Sequence, residues 1–196
     1  MKKILLIILT IILILSVNVL AVDIDIGMPA IDRASSTGTN TYVDKLNPAN
    51  GTGKITSVEI WAAADLINCE VATFFQPDPG GFPNNFTTRD TQVIGTVTAG
   101  SKQTFPVDLD VEEGDYIGIY FTAGTLERDL GSGGYWYHNV DDIPCVNQEF
   151  WVTGSGAELS LYGTGTTVVV GWDHKWNTQE ISKWNNQEII KWNGLE

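Results

Sequence analysis

Positive charge is scarce in this sequence. Eleven Lys and Arg stand against 24 Asp and Glu over 196 residues, a formal net charge of −13 at pH 7. Binding to nucleic acid needs clustered Lys and Arg to neutralise phosphates, and a chain this acidic argues against it. Cysteine and histidine are scarcer still, with two of each. Neither Cys69 nor Cys145 has the C-x-x-C or Cys/His spacing of a redox or zinc site. No His-Glu-x-x-His, no Gly-x-Ser-x-Gly and no phosphate loop occurs. Ser132 and Ser155 sit in Gly-Ser-Gly runs, not on the strained elbow that a Ser-His-Asp triad uses. Acidic residues are too numerous for any pair to be read as glycosidase carboxylates, since spacing in the chain says nothing of spacing in space. The reading is therefore of a binding or structural protein and not an enzyme. Past residue 21 there is also no sustained 3.6-residue apolar stripe. The only helix-like stretch, Ala62-Ala63-Ala64-Asp65-Leu66, is short.

The chain is not short of apolar residues. At 43% hydrophobic it is too apolar for a disordered protein, and its 20 Gly and 7 Pro lack the period of collagen. Its first segment reads as an address. Met1-Lys2-Lys3 is a positive start, residues 4–17 are apolar apart from Thr10 and Ser16, and Val19-Leu20-Ala21 offers a cleavage site. Residues 1–21 are therefore expected to be a secretory signal peptide. The alternative is an uncleaved anchor, since the stretch is about long enough to span a bilayer. The expected location is secreted, extracellular or on the cell surface.

Export gives the two cysteines a meaning. An oxidising compartment permits a Cys69–Cys145 disulfide, which would stabilise the fold by about 4–5 kcal/mol in the chain-entropy model. Two separate buried thiols are the alternative. Asn50-Gly51-Thr52 and Asn85-Phe86-Thr87 are sequons, so Asn50 and Asn85 are candidate glycosylation sites if the host modifies exported proteins.

From residue 22 to 172 the pattern is period two, in short bursts. Ser57-Val58-Glu59-Ile60-Trp61-Ala62 alternates with Val58 and Ile60 on one face, and Val107, Leu109 and Val111 likewise share one side of their run. Tyr116-Ile117-Gly118-Ile119-Tyr120-Phe121 is apolar on both faces, the mark of a central strand. Turn signals separate the bursts, among them Asn47-Pro48, Asn50-Gly51, Pro77-Asp78-Pro79-Gly80-Gly81 and Glu113-Gly114-Asp115. Eight or more short strands at this spacing predict an all-β domain, an antiparallel β-sandwich or jelly roll. The segments 96–105 and 113–120, with Asp32-Arg33-Ala34-Ser35 near the start, resemble jelly-roll domains of uncharacterised secreted and phage-structural proteins. That resemblance covers residues 26–162. It implies a fold and a surface context, and brings no catalytic residues.

The C-terminal segment, 173–196, is a repeat. Lys175-Trp176-Asn177, Lys183-Trp184-Asn185 and Lys191-Trp192-Asn193 recur eight residues apart. An even period keeps Trp176, Trp184 and Trp192 on one side of an extended chain, whereas a helix would wind them around its axis. The segment is expected to form short β-strands carrying Ile181 and Ile189, with turns at Asn-x-Gln. Three units are too few to bury these groups alone. Docking is expected on the chain's own domain, on a second copy or on an envelope component, with strand donation into a filament as one form.

Candidate ligand-binding residues fall in Tyr135-Trp136-Tyr137-His138-Asn139, with Asp141 and Asp142 as polar partners. Aromatic faces beside hydrogen-bonding groups suit sugar rings. Strand alternation, however, places Trp136 opposite Tyr135 and Tyr137, so one side should be core. Asp108, Asp110 and Glu112, with Glu113 and Asp115, are weak candidates for a structural Ca²⁺ against the reading of a solvated acidic face; no other cofactor is expected. Arg89-Asp90 and Arg128-Asp129 read as local ion pairs. Two functions follow: an exported structural or assembly protein, filament or envelope subunit that contacts copies of itself or the envelope, or a carbohydrate-binding module or adhesin for surface glycans.

Overall fold

The computed structural model describes residues 21–130, 134–152 and 157–167, which belong to one unit, Ala21–Val168. The leader through residue 20 and the repeat, with Trp176, Ile181, Trp184, Ile189 and Trp192, lie outside the described residues. Every regular element among the described residues is a strand. In chain order these are β1 (Asp23–Met28), β2 (Ser35–Thr37), β3 (Thr41–Asp44), β4 (Gly53–Phe75), β5 (Asn85–Val97), β6 (Lys102–Val111) and β7 (Tyr116–Tyr120). They continue as β8 (Ala123–Leu130), β9 (Tyr135–His138), β10 (Gln148–Glu149), β11 (Trp151–Val152), β12 (Ala157–Leu159) and β13 (Leu161–Thr167). All pairings are antiparallel, so the chain is an all-β, antiparallel protein.

β4 is the spine. Its first residues pair with β13 on one side and β6 on the other. Its middle pairs with β8 and its last third with β5 and β7. The helix-like residues Ala62 to Leu66 are thus strand. Alternate pairing to Leu126 and Thr125 supplies the backbone partners that a five-residue helix could not supply for itself. Register shifts at Ala62/Ala64 and Ala64/Ile67 bend the strand there, which lets one element serve several neighbours. From β4 the main path runs β7, β3, β9, β11. β7 is central, as its two apolar faces predict, with Ile117 and Ile119 fully buried. Gly118 lies between them because a Cβ there would stand 2.5 Å from both the Phe74 ring and the Tyr42 carbonyl.

Two apolar clusters flank this path. The larger gathers Ile24 and Ile26 from β1, Ile55, Val58 and Ile60 from β4, Leu109, Ile117 and Leu161. Each such side chain contributes roughly 1.5–3 kcal/mol by leaving water. The smaller holds Val43, Ala72, Phe74, Phe86, Trp136, Ile143 and Phe150. Successive residues of one strand point to opposite faces, so Tyr135 packs in the first cluster and Trp136 in the second.

This separation overturns the expected disulfide: both cysteines are free. Cys69 lies in the larger cluster opposite Gly95 of β5. Cys145 packs against the smaller one, its Sγ beside Phe86 and Thr88 at the other end of the same strand. Along a strand that is a separation on the order of 20 Å, far beyond the reach of an S–S bond.

The sheet margins differ in how they are finished. On β1, the Asp25 amide donates to Asn50 Oδ1 at 3.0 Å, the Gly27 amide to the Asn47 carbonyl at 2.9 Å, and Asn47 Nδ2 to the Gly27 carbonyl at 3.1 Å. On β6, the Asp110 and Asp108 amides donate to Asp90 Oδ2 and Gln92 Oε1, each at 2.9 Å, and Gln92 Nε2 donates to the Pro106 carbonyl at 3.2 Å. Side chains thus occupy groups that would otherwise recruit another strand. At β11, the far end of the main path, the described residues supply no such cap.

Candidate functional site

The candidate site is the margin formed by β9 and β11. β9 carries Tyr135, Trp136, Tyr137 and His138 of the run singled out in the sequence, with Asn139 just beyond its end, and the structure divides them. Tyr135 is only 4% exposed, packs edge-on against Tyr42 and accepts a hydrogen bond from Arg128 Nη1 at 2.9 Å. Trp136 is equally buried, donates Nε1 to Asn84 Oδ1 at 2.9 Å, and has Lys45 Nζ 5.0 Å from its ring. Both are core residues. Tyr137 and His138 are half-buried and Asn139 is exposed, so these three remain at the surface.

β11 completes the margin. Register sets Trp151 directly across from Tyr137, with centroids 5.6 Å apart. The His138 ring meets Trp151 edge-on at 4.9 Å. His138 Nδ1 lies 2.5 Å from Asp142 Oδ2, a contact that ties the imidazole to the carboxyl group. Asp142 is itself placed by its amide, which donates to Thr41 Oγ1 at 3.0 Å, while that hydroxyl donates to the Val140 carbonyl at 2.7 Å. The imidazole is therefore fixed by a chain of bonds reaching back to β3. Trp151 is 46% exposed, Val152 40% and Val140 50%, and the exposed Asp141 and Glu149 lie near them in the chain.

The segment 139–150 seats this margin on the smaller cluster. Ile143 and Phe150 bury into it. The Cys145 amide donates to Thr88 Oγ1, the Asn147 amide to Thr87 Oγ1 and the Phe150 amide to the Asn84 carbonyl, each near 2.9 Å. Burial pushes the Cys145 thiol above its ordinary pKa, and burial with the nearby Glu70 charge pushes that of Cys69 up to about 12. Neither thiol is an activated nucleophile.

The other candidates are placed as follows. Asp108 and Asp110 share one face of β6 and both hold Lys54 Nζ, at 3.0 and 2.8 Å. Glu112 instead meets Arg89 Nη1 at 2.9 Å. Side-chain cations thus stand where the Ca²⁺ was considered, and no group of three His, Cys, Asp or Glu able to hold a metal ion occurs among the described residues. The expected Arg89–Asp90 and Arg128–Asp129 pairs do not form, because sequence neighbours on a strand face opposite ways. Arg89 grips Asp115 through Nε and Nη2, and Arg128 donates to the Ser36 carbonyl and to Tyr135. Of the sequons, Asn50 is exposed in the turn before β4, while Asn85 lies within β5 with Nδ2 turned to Asn147.

Sequence reasoning passed over Trp151 and Val152 as site residues. The signal was present in Glu149-Phe150-Trp151-Val152, where alternation puts Phe150 in the core and leaves Trp151 on the other face. Compared with protein-family models, curated proteins and solved structures, the chain matches none.

Proposed function

We propose that this chain is an exported structural protein of the cell surface or extracellular space that assembles through the β9–β11 margin. Its all-β domain is read here as a two-layer sandwich, and the Lys-Trp-Asn repeat as a further contact element. One observation carries the reading: the margins at β1 and β6 are closed by Asn47, Asn50, Asp90 and Gln92, while the margin at β11 bears exposed Trp151 and Val152. An uncapped apolar edge is where another chain pairs. Trp151 and Tyr137 supply the aromatic anchor that concentrates binding energy at an interface. The leader-like segment supports export, and the partner is a second copy or an envelope component.

The test is the oligomeric state of the full-length chain by light scattering after gel filtration. Assembly is expected for the native sequence, and dissociation for Trp151→Ser or Val152→Lys. A chain that stays monomeric at every concentration overturns the reading. Glycan-array hits lost in Tyr137→Ala, with unchanged size, would favour the carbohydrate-binding alternative at Tyr137, His138 and Asn139.

A further inference from the structure

At the opposite end of the strand order, β1, β13 and β4 frame an open groove of about 450 Å³ lined by Asp23, Asp25, Asn50, Thr56, Tyr162 and Thr164. Register explains the collection. Asp25 stands across from Thr164, and Tyr162 lies two residues along β13 on the same face. Ile24 and Ile26, which alternate with the two aspartates, point into the core.

The groove is shaped by a β-bulge. Thr164 pairs with Ser57 and Gly165 with Ile55, so Thr56 is an extra residue on β4. Gly165 makes this possible, since a Cβ there would lie 1.8 Å from the Lys54 carbonyl oxygen. Bulges re-aim a side chain, and here the re-aimed residue is Thr56, in the groove wall.

The lining is also pre-oriented. Tyr162 Oη donates to Asp25 Oδ2 at 3.3 Å, and the Asp25 amide donates to Asn50 Oδ1 at 3.0 Å. With Oδ1 so engaged, Asn50 offers its NH₂ as a donor. The carboxylates of Asp23 and Asp25 accept, and the Thr56 and Thr164 hydroxyls do both. Among the described residues, no Lys or Arg lines the groove. Lys54, in the next register row beside Thr166, is held by Asp108 and Asp110. Two acidic side chains with no described cation beside them disfavour an anionic ligand. A simple amine, which only donates, would leave the Asn50 donor without a use. Hydroxyl groups, which donate and accept, match the whole set, and the Tyr162 ring offers a flat apolar face. We propose that this groove binds an uncharged carbohydrate of one or two sugar rings, through Asp25, Asn50, Tyr162 and the re-aimed Thr56. The volume lies within the ordinary range for small-ligand sites.

The site is separate from the β11 margin, so each can fail alone. The test is amide chemical-shift mapping of the full-length chain during titration with glucose, galactose, mannose, xylose and N-acetylglucosamine, each to about 50 mM so that millimolar affinity registers. At least one sugar is expected to shift the Asp25, Asn50, Tyr162 and Thr164 amides. Tyr162→Ala and Asp25→Asn are expected to weaken it about tenfold or more. Tyr162→Phe, which keeps the ring, and Thr56→Val serve if the first variants fail to fold, with a smaller loss expected of each. Trp151→Ser should leave the titration unchanged. Groove amides unmoved by all five sugars, or moved by butylammonium alone, overturn the proposal.

Discussion

Arg33 Nη1 donates to Asp129 Oδ2 at 2.9 Å, joining the segment before β2 to β8. The same nitrogen reaches Glu158 Oε2 at 2.8 Å, Nε donates to Ser160 Oγ at 2.8 Å and Nη2 to the Pro29 carbonyl at 3.1 Å. The guanidinium is thereby a pin through β8, β12 and the chain leaving β1. Its side chain is 2% exposed, whereas Asp129 and Glu158 are 39% and 30% exposed, so water screens the pair from one side only. Removing the pin breaks all of these bonds at once, leaving the half-exposed Asp129 and Glu158 to water and the buried Ser160 hydroxyl with only the Ile31 carbonyl. Arg33→Ala is expected to cost about 2–4 kcal/mol, below the full value of a wholly buried pair. Lys102→Ala, which breaks an exposed pair with Glu59, should change stability by under about 0.5 kcal/mol. Urea unfolding of the two variants checks the contrast.

Asp44 is 1% exposed, and its Oδ2 has no hydrogen-bond partner. Oδ1 accepts the Leu46 amide at 2.8 Å, and Arg33 and Glu158 face the group with opposing effects. Burial dominates and raises its pKa from 3.8 to about 7. A carboxyl raised on folding favours the folded state below its unfolded pKa, and that support is lost as pH rises through the folded value. Asp44→Asn should therefore match the native chain near pH 4 and exceed it in stability by a margin growing to pH 7 and flat beyond. The ceiling is roughly 4 kcal/mol. Paired unfolding curves across this range test the sign; a margin that shrinks with rising pH would contradict it.

These residues mark what the sequence makes legible. Local alternation suffices for the all-β class, for the central position of β7 and for the division of Tyr135 from Trp136. It fails where a partner far along the chain decides. Ala62 to Leu66 have helix-forming composition, yet pairing with β8 makes them strand. Arg89 finds Asp115 and not its neighbour Asp90, which instead caps β6. No local rule reveals that Asn50, a sequon residue, also closes the β1 margin. The exposed edge at Trp151 was visible only as alternation, since its meaning depends on which strand comes last in the sheet.

The cysteines give a third prediction. With Cys69 fully buried in one cluster and Cys145 partly buried at the other, two thiols should titrate in denaturant and neither should react quickly in the native state. The melting temperature should be the same with and without reductant. A chain with no titratable thiol after unfolding in the absence of reductant would restore the disulfide.

Lys54 gives a fourth. Because its ammonium already bridges Asp108 and Asp110, added Ca²⁺ has no vacant carboxylate pair to join on β6. Saturating Ca²⁺ is expected to shift the melting temperature by less than about 1 °C, a stabilisation of a few tenths of a kcal/mol at most. Lys54→Ala frees both carboxylates, so a Ca²⁺ response that appears only in this variant would identify the ammonium as the occupant.

Asp90 and Gln92 provide the last, and it bears on how the margins are kept apart. Between them they occupy the Asp108 and Asp110 amides and the Pro106 carbonyl, all on the side of β6 away from β4. Truncating both to Ala would return three backbone groups to the edge. A lost side chain–backbone bond costs about 0.5–1.5 kcal/mol when water can replace it, so the double variant should remain folded. Its edge, however, would then resemble the one at β11 and be open to strand addition. The expected outcome is a larger or less uniform species than the native chain at equal concentration, persisting when Trp151→Ser is added. If that triple variant is as small as Trp151→Ser alone, β6 is kept solitary by something other than these two side chains, and the contrast between capped and uncapped margins loses its force.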